Sequence, residues 1–450
     1  MNAPRDRKPP TLQRLVAMFR SALEALGHSP AEPELEEWAV LIHASMSGRG
    51  RSYHTVEHVF AVSGGTDPIG VLAVLFHDTV YCEVDGGLPR GLEPHLADAL
   101  EVEDGQVELG AFDPKDDPLR ALVARLFGFT PGQGVTFQSG LNELASALLA
   151  VRALRSHLTP SELAQVVTCI EATIPFRPQE AEETLASRLA EADREHALGL
   201  GEAGVDAAVR RAVNVANRDV GNFAYEDPAA FLSHTWEILP ETNPTLRMPA
   251  YTLGEYRQAM ARMEGFFGTL DAERVYRVFR GTPPVEELAS LLERSRRNLA
   301  RGTRYLREKL LSARLLETFA NLTGGDAPVS LFMGDLPHEG ESDSLRLEHM
   351  LPRLDGPNAS DVDPDVLRLL EEGRKKESAF DLRHSPLAAY LYARLGDAAS
   401  DRALAADDGW PLLEALPAAH VIEIATLCQP IAVTRASGLA AIVARLQSAG

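Results

Sequence analysis

Three histidines and one aspartate, His54, His58, His77 and Asp78, lie close together in the first fifth of the chain. Neutral imidazoles and carboxylates are the side chains that hold divalent metal ions at catalytic sites. A spacing of four residues would place His54 and His58 on one face of a helix. His77 and Asp78 close the apolar run 69–76, and polar groups at the end of a buried helix cost free energy unless they are paired or coordinated. The pattern therefore predicts a metal site.

Three short motifs surround or follow these positions. They are Tyr53-His54-Thr-Val-Glu-His58, Phe76-His77-Asp78-Thr-Val-Tyr81 and Asn142-Glu143-Leu-Ala-Ser146-Ala147. In order and residue type they resemble the HD-domain metal-dependent phosphohydrolases, in particular a branch that carries all three motifs. The resemblance implies an all-α fold built on an HD-domain helical bundle, and it implies that His58, His77 and Asp78 are metal ligands.

The resemblance also requires a fourth ligand, an aspartate on a downstream helix. Asp219 is the leading candidate, because it lies in the last turn of a helix expected to end before Gly221. The helix dipole disfavours a carboxylate at that end, so a compensating cation is expected there. Asp206 and other acids remain alternatives for this position.

The sequence departs from its relatives in its histidines. Ile170-Glu171-Ala-Thr173 is not followed by the histidine that many relatives carry, and only His95, His157 and His196 lie between the His-Asp doublet and Asp219. None of these three has a recognisable ligand context. One divalent ion is therefore expected, and Mn, Mg, Ni, Fe and Zn are not distinguished.

Other polar residues are candidates for catalysis and substrate binding. Glu143 matches the family's Asn-Glu motif and shares a helical face with Ser146, so the resemblance suggests it as general acid or base; the alternative is a solvated helix residue. His54 could polarise the leaving group or bind phosphate, or it could simply be a hydrogen-bonded residue at a helix end. The candidates for substrate binding are Arg51, Asn142 and Arg218, with Arg177 as a further possibility, since guanidinium groups fit phosphate.

Composition limits the partners. Aliphatic residues dominate a hydrophobic content of 45%, aromatic residues make up only 6%, and no strand-rich region is visible, which is typical of a helical protein. The net charge of −21 argues against non-specific binding to nucleic acid or to an anionic membrane. Three separated cysteines indicate neither a disulfide framework nor a zinc cage. No signal core or membrane-spanning segment is recognisable, so a cytoplasmic location is expected, and a homo-oligomer is left open.

Two domains are expected. Residues 1–280 would form the HD-type catalytic domain, with a loop-rich insertion around residues 85–134, where glycine, proline and acidic residues are frequent. The Pro283-Pro284 pair marks a boundary, and residues 281–450 would form a helical C-terminal domain of unknown role. In that domain a short basic island, residues 374–376 with Arg383 and His384, could bind phosphate or could be an ordinary solvated face.

The expected function is that of a metal-dependent phosphohydrolase. Its substrate would be a nucleotide or another phosphorylated small molecule, attacked by metal-activated water. The alternative is a regulatory or scaffold protein that binds a nucleotide without turnover. A diiron oxygenase of the HD type is a third reading, which the missing histidines disfavour.

Overall fold

A computed structural model describes residues 8–89, 91–103, 106–178, 180–336, 344–353 and 356–449. In this part of the chain there are 22 α-helices and three short β-strands, so the mainly helical fold expected from the sequence is confirmed. The described residues form two compact units. Unit 1 takes its residues from Met1–Gly221 and Asp271–Leu292, and unit 2 from Asn222–Leu270 and Glu293–Gly450. The domain boundary near residue 280 stays a prediction, because these units describe packing and not independent folding.

Twelve helices lie in unit 1. They are α1 (Thr11–Ala25), α2 (Glu32–Met46), α3 (Val56–Ser63), α4 (Pro68–Phe76), α5 (Cys82–Asp85), α6 (Glu93–Leu96), α7 (Pro118–Phe127), α8 (Leu141–Leu154), α9 (Pro160–Ala172), α10 (Ala181–His196), α11 (Gly201–Asp219) and, after the first segment of unit 2, α14 (Ala272–Val275). A 3-10 turn, Phe137–Ser139, precedes α8.

Helix α4 occupies the centre of unit 1. Asp67 caps its first turn by accepting a hydrogen bond from the Gly70 N–H at 2.9 Å, and Pro68 at the first helical position suits this start. From Ile69 to Phe76 every residue except Val71 is buried, and the helix packs against α1, α8 and α9. Because the helix is buried along its length, the next residue, His77, also lies in the protein interior.

The segment 85–134, predicted to be rich in loops, contains regular structure. Strands β1 (Leu100–Glu103), β2 (Gln106–Leu109) and β3 (Gly134–Val135) form a small antiparallel sheet in the order β1-β2-β3, with Val102 opposite Val107. Helix α7 follows β2 and ends at Gly128 in the left-handed conformation. Sequence analysis predicted no strands because each of the longer two has only four residues and carries glutamate among its apolar positions.

Unit 2 is built from the remaining helices around a second core, which includes Leu311, Phe319 and Phe332. They are α12 (Pro228–Thr242), α13 (Leu253–Thr269), α15 (Val285–Thr323, whose first turns belong to unit 1), α16 (Ser330–Met333), α17 (Leu347–Met350), α18 (Pro364–Glu372), α19 (Pro386–Ala405), α20 (Trp410–Ala415), α21 (Ala418–Cys428) and α22 (Ala436–Ala449). Further 3-10 turns are Gly221–Ala224, Pro244–Arg247 and Val433–Arg435. No described helix combines the length and the apolar character needed to cross a bilayer.

Helix α19 bends at Gly396. The glycine has φ +68°, and a Cβ atom there would lie 2.0 Å from Oδ1 of Asp361. Only glycine fits this left-handed position beside a neighbouring side chain. The helix resumes after the bend and continues to Ala405.

The basic island of unit 2 is largely neutralised. Arg374 is buried and contacts Asp381, Lys375 pairs with Asp227, and Lys376 pairs with Glu237. Its cations are therefore engaged with acidic partners, which weakens the interpretation of this segment as a phosphate site.

Candidate metal centre

The His-Asp doublet follows directly on α4. His77 is the C-cap of the helix, with its backbone N–H on the carbonyl of Ala73, and its side chain is 1% exposed. Its Nδ1 lies 2.8 Å from the carbonyl oxygen of Val74. A carbonyl accepts hydrogen bonds, so Nδ1 carries the proton that it donates, and Nε2 is left to face the other polar groups. This arrangement is common for metal-binding histidines.

Four potential ligands converge here from distant parts of the chain. Nε2 of His77 lies 2.9 Å from Oδ2 of Asp78 and 3.3 Å from Oδ1 of Asp219. Nε2 of His58 lies 2.8 Å from Oδ1 of Asp219 and 3.5 Å from Oδ2 of Asp78. All four donor atoms lie within 4.8 Å of one another. We call these four residues the His/Asp cluster.

Helices α3, α4 and α11 position the cluster. His58 is in the first turn of α3, the doublet follows α4, and Asp219 is the last residue of α11, as the sequence predicted. Helices α4 and α11 therefore present their C-terminal ends, with the negative end of the dipole, beside the cluster. Asp206, the alternative to Asp219, forms an ion pair with Arg280 instead.

His54 does not share a helical face with His58, contrary to the spacing argument. Helix α3 begins at Val56 after an extended Thr55, so His54 precedes the helix. Its ring nevertheless lies near the cluster, with a centroid 6.0 Å from that of His58 and 4.5 Å from that of Tyr81. A four-residue spacing could not reveal that the helix starts between the two histidines.

The opposite charges within the cluster shift the pKa values of its members. Burial opposes a charge on His77, but the carboxylates of Asp78 and Asp219 raise its pKa well above the ordinary value. Burial likewise opposes ionisation of Asp219, yet the neighbouring histidines lower its pKa to about 2, and they lower the pKa of Asp78 further. Without a metal ion, the two carboxylates thus depend on titratable imidazoles for their counter-charge.

The donor set suits a divalent cation. Two imidazole nitrogens and two carboxylate oxygens form a mixed N/O set of the kind that Zn, Fe, Mn and Ni accept. The negative helix ends favour positive charge at the same place. The cluster offers four protein donors, which leaves further coordination positions for water or substrate.

Arg51 has a structural position beside the cluster. Its side chain is fully buried and forms a two-pronged pair with Asp85, with Nε to Oδ1 at 3.1 Å and Nη2 to Oδ2 at 2.7 Å. It also donates to the backbone carbonyls of Asp78, at 2.7 Å, and Thr79. The arginine therefore holds the backbone of Asp78 in place. Its N–H groups already donate hydrogen bonds within the protein, so they are not free to bind a phosphate. Asp85 was not singled out from the sequence, where nothing links it to a partner 34 positions away.

Helix α8 supports the segment after the doublet. The hydroxyl of Ser146 accepts a hydrogen bond from the Val80 N–H at 3.1 Å, and Oδ1 of Asn142 accepts one from the Cys82 N–H at 3.0 Å. Asn142 was predicted to bind the substrate. Its side-chain carbonyl oxygen instead accepts a hydrogen bond from the backbone. Burial raises the pKa of the Cys82 thiol to about 12, so this cysteine is not a thiolate nucleophile at neutral pH.

Glu143 is a buried residue of α8, the helix that also carries Asn142 and Ser146. Its Oε2 has no hydrogen-bond partner among the described residues. Burial raises its pKa to about 7, and the charges of Asp78 and Asp219 act in the same direction. A carboxyl group with this pKa can hold or release a proton near neutral pH, which is what a general acid or base must do.

The two remaining arginines have partners elsewhere. Arg218 donates to the carbonyls of Gly64 and Gly65 at the end of α3. Arg177 pairs with the buried carboxylate of Glu171, a residue whose role was not predictable from the sequence. Its Nε remains buried without a partner among the described residues.

Comparison with known proteins adds no assignment. No protein-family model matches the chain, and no match was found among the curated proteins or the solved structures.

Proposed function

We propose that the His/Asp cluster holds one divalent metal ion and that the protein is a metal-dependent phosphohydrolase acting on a nucleotide or another phosphorylated small molecule. The observation that carries the proposal is the convergence of four ligand atoms within 4.8 Å from three separate segments. The resemblance to HD-domain phosphohydrolases points to the same four residues. The His77 side chain is buried, and its ring is oriented by the contact with Val74. Neither feature is expected of acids and histidines that meet by chance at a surface.

A divalent ion at this position would supply an activated water and would polarise a phosphoryl oxygen. The protein's own residues would do the rest. Nδ1 of His77 stays bonded to Val74 and holds the imidazole orientation. Arg51 keeps the Asp78 backbone in place through its carbonyl oxygen, so both residues of the doublet are fixed before substrate arrives.

Glu143 is the proposed proton donor to the leaving oxygen. Burial raises its pKa, so the group is suited to hold a proton and to pass it to the leaving oxygen, and its partnerless Oε2 is available to a substrate atom. The carboxylate formed in this way could take a proton back from water when the next cycle begins. His54 is proposed to contact the substrate phosphate or leaving group.

The test begins with metal content and phosphate release. The purified wild-type protein and the Asp78→Ala variant are analysed for bound metals and are assayed with nucleotides and simple phosphoesters in added Mn²⁺, Mg²⁺ or Ni²⁺. We expect about one ion per wild-type chain and metal-dependent phosphate release, with both lost in the variant. Asp206→Asn is the matched control, because Asp206 pairs with Arg280 away from the cluster, and it should retain metal and activity.

Three other results would change the assignment. Bound metal without turnover of any phosphoester would favour the regulatory ligand-binding alternative. About two iron atoms per chain with consumption of oxygen would favour the oxygenase. Absence of any bound metal would refute the proposed site.

A further inference from the structure

Aromatic rings lead outward from the His/Asp cluster in an unbroken series. The ring of His58 is followed by that of His54 at 6.0 Å, and His54 meets Tyr81 edge to face at 4.5 Å. Tyr81 is followed by Phe137, whose ring is nearly parallel to it, with an interplanar angle of 11° and a centroid distance of 6.2 Å. The series ends at the surface, because Phe137 is 40% exposed.

The backbone on both sides of Tyr81 is fixed. The N–H of Val80 donates to Ser146 and the N–H of Cys82 donates to Asn142, so α8 holds the residues before and after Tyr81. The guanidinium carbon of Arg51 lies 5.7 Å from the tyrosine ring centroid. Tyr81 is therefore carried on a segment whose position depends on the same residues that support the His-Asp doublet.

Local hydrogen bonds close the turn that carries Phe137. Phe137 starts the 3-10 turn before α8, where the Thr136 N–H donates to the hydroxyl of Ser139 at 2.8 Å. Gly140 then enters α8 with φ +93°, a left-handed conformation that glycine adopts easily. Phe137 thus lies six positions before Glu143, on a turn closed by local hydrogen bonds. An aromatic side chain on such a turn can bind without a large loss of conformational entropy.

We propose that Phe137 and Tyr81 form a stacking subsite for the leaving group, and that the preferred substrates are phosphoesters whose alcohol portion carries a planar aromatic ring. This inference rests on the proposed function. A single exposed phenylalanine is ordinary on a protein surface. This one differs because it lies on a hydrogen-bonded turn, is nearly parallel to a second ring, and is continuous with the cluster through His54. Ring stacking is tolerant of the identity of the ring, so the subsite selects planarity.

Adenosine 5′-monophosphate and ribose 5-phosphate provide the matched test, because they share the same phosphoester and differ by one planar base. Wild-type protein loaded with metal should prefer the nucleotide. Phe137→Ala should lower kcat/KM for the nucleotide by about tenfold, within the range found when an aromatic partner of a base is removed, mainly through KM. The change for ribose 5-phosphate should stay within about twofold. Calorimetric binding of both compounds to the metal-loaded protein gives a second readout that does not require turnover.

Two further variants separate stacking from general damage. Phe137→Trp keeps a planar ring and should retain the preference. Phe266→Ala removes an equally exposed phenylalanine, also 40% exposed, from α13 in unit 2, and should change neither substrate's kinetics.

The results also distinguish this inference from the proposed function. Metal-dependent hydrolysis or binding of both compounds without preference, or an equal loss for both in Phe137→Ala, overturns the subsite and leaves the hydrolase intact. A protein that binds no metal and neither compound overturns both.

Discussion

Asp381 in unit 2 and Asp219 in unit 1 are both largely buried carboxylates, and their partners differ in kind. Oδ2 of Asp381 accepts hydrogen bonds from Trp236 at 2.8 Å, Lys309 at 2.9 Å and Arg374 at 3.2 Å. Burial opposes ionisation, but Lys309 and Arg374 lower its pKa. Its counter-charges are the cationic side chains of a lysine and an arginine. This carboxylate is neutralised by the protein itself.

Among the residues that the structure describes, no lysine or arginine forms an ion pair with Asp78 or Asp219. Asp78 and Asp219 face imidazoles, which lose their charge when a proton leaves. The nearby Arg51 is neutralised by Asp85, and Arg218 binds backbone carbonyls. A carboxylate pair that faces imidazoles, which can lose their charge, suits an exchangeable cation, whereas Asp381 already has cationic partners. The comparison separates a structural charge cluster from a candidate functional one.

The largest effect is expected from Asp381→Ala. The substitution leaves Lys309 and Arg374 buried without their carboxylate, and breaking a buried pair in this way costs about 3–5 kcal/mol. Denaturant unfolding, with and without added metal, should show this loss to be independent of metal. Asp408→Ala is the control, because Asp408 has a side chain that is 62% exposed and pairs with Arg314, and it should cost at most about 1 kcal/mol. Equal losses in the two variants would remove the distinction between the clusters.

Asp219→Asn should have a smaller effect that depends on metal. An ion at a hundred times its Kd stabilises the wild-type protein by about 2.7 kcal/mol, and the variant should lose most of this gain. In chelator the variant should lose less stability than Asp381→Ala does, because an imidazole can give up its proton when the neighbouring carboxylate is removed. The measurement is a pair of unfolding curves for each protein. A large loss in chelator would show that the cluster behaves like the one around Asp381.

Some of these structural features could be predicted from the sequence, and others could not. The apolar run of α4 and the helix end at Asp219 were predictable, because both follow from local patterns of hydrophobicity and helix termination. The Arg51–Asp85 pair was not, because no local pattern relates residues that meet only in the folded chain. The four-residue spacing of His54 and His58 predicted a shared helix, but it carries no information on the extended conformation of Thr55, after which the helix begins. The short sheet was missed because four-residue strands give too little periodicity.

The smallest effect concerns pH. The pKa of His77 is raised well above its usual value, so in the metal-free protein this imidazole stabilises the fold fully below the unfolded pKa, and the contribution is lost as pH rises through the folded pKa. Metal binding needs the unprotonated ring. Affinity should therefore fall about tenfold per pH unit below the folded pKa, with about one proton released per ion. Calorimetry in two buffers of different ionisation enthalpy measures the proton count, and a count of zero would contradict the role of His77.

The wide separation of the ligands along the chain has a mechanical consequence. His58 and Asp219 are 161 positions apart, and the segments between them include most of the helices and the whole sheet of unit 1. An ion joining these residues would act as a reversible cross-link that closes one very long loop. Such a cross-link would lower the conformational entropy of the unfolded chain. The entropy change depends only weakly on loop length, so a single ion could restrain even this long segment. The unfolding rate and the resistance of unit 1 to proteolysis would then follow the supply of metal in its surroundings.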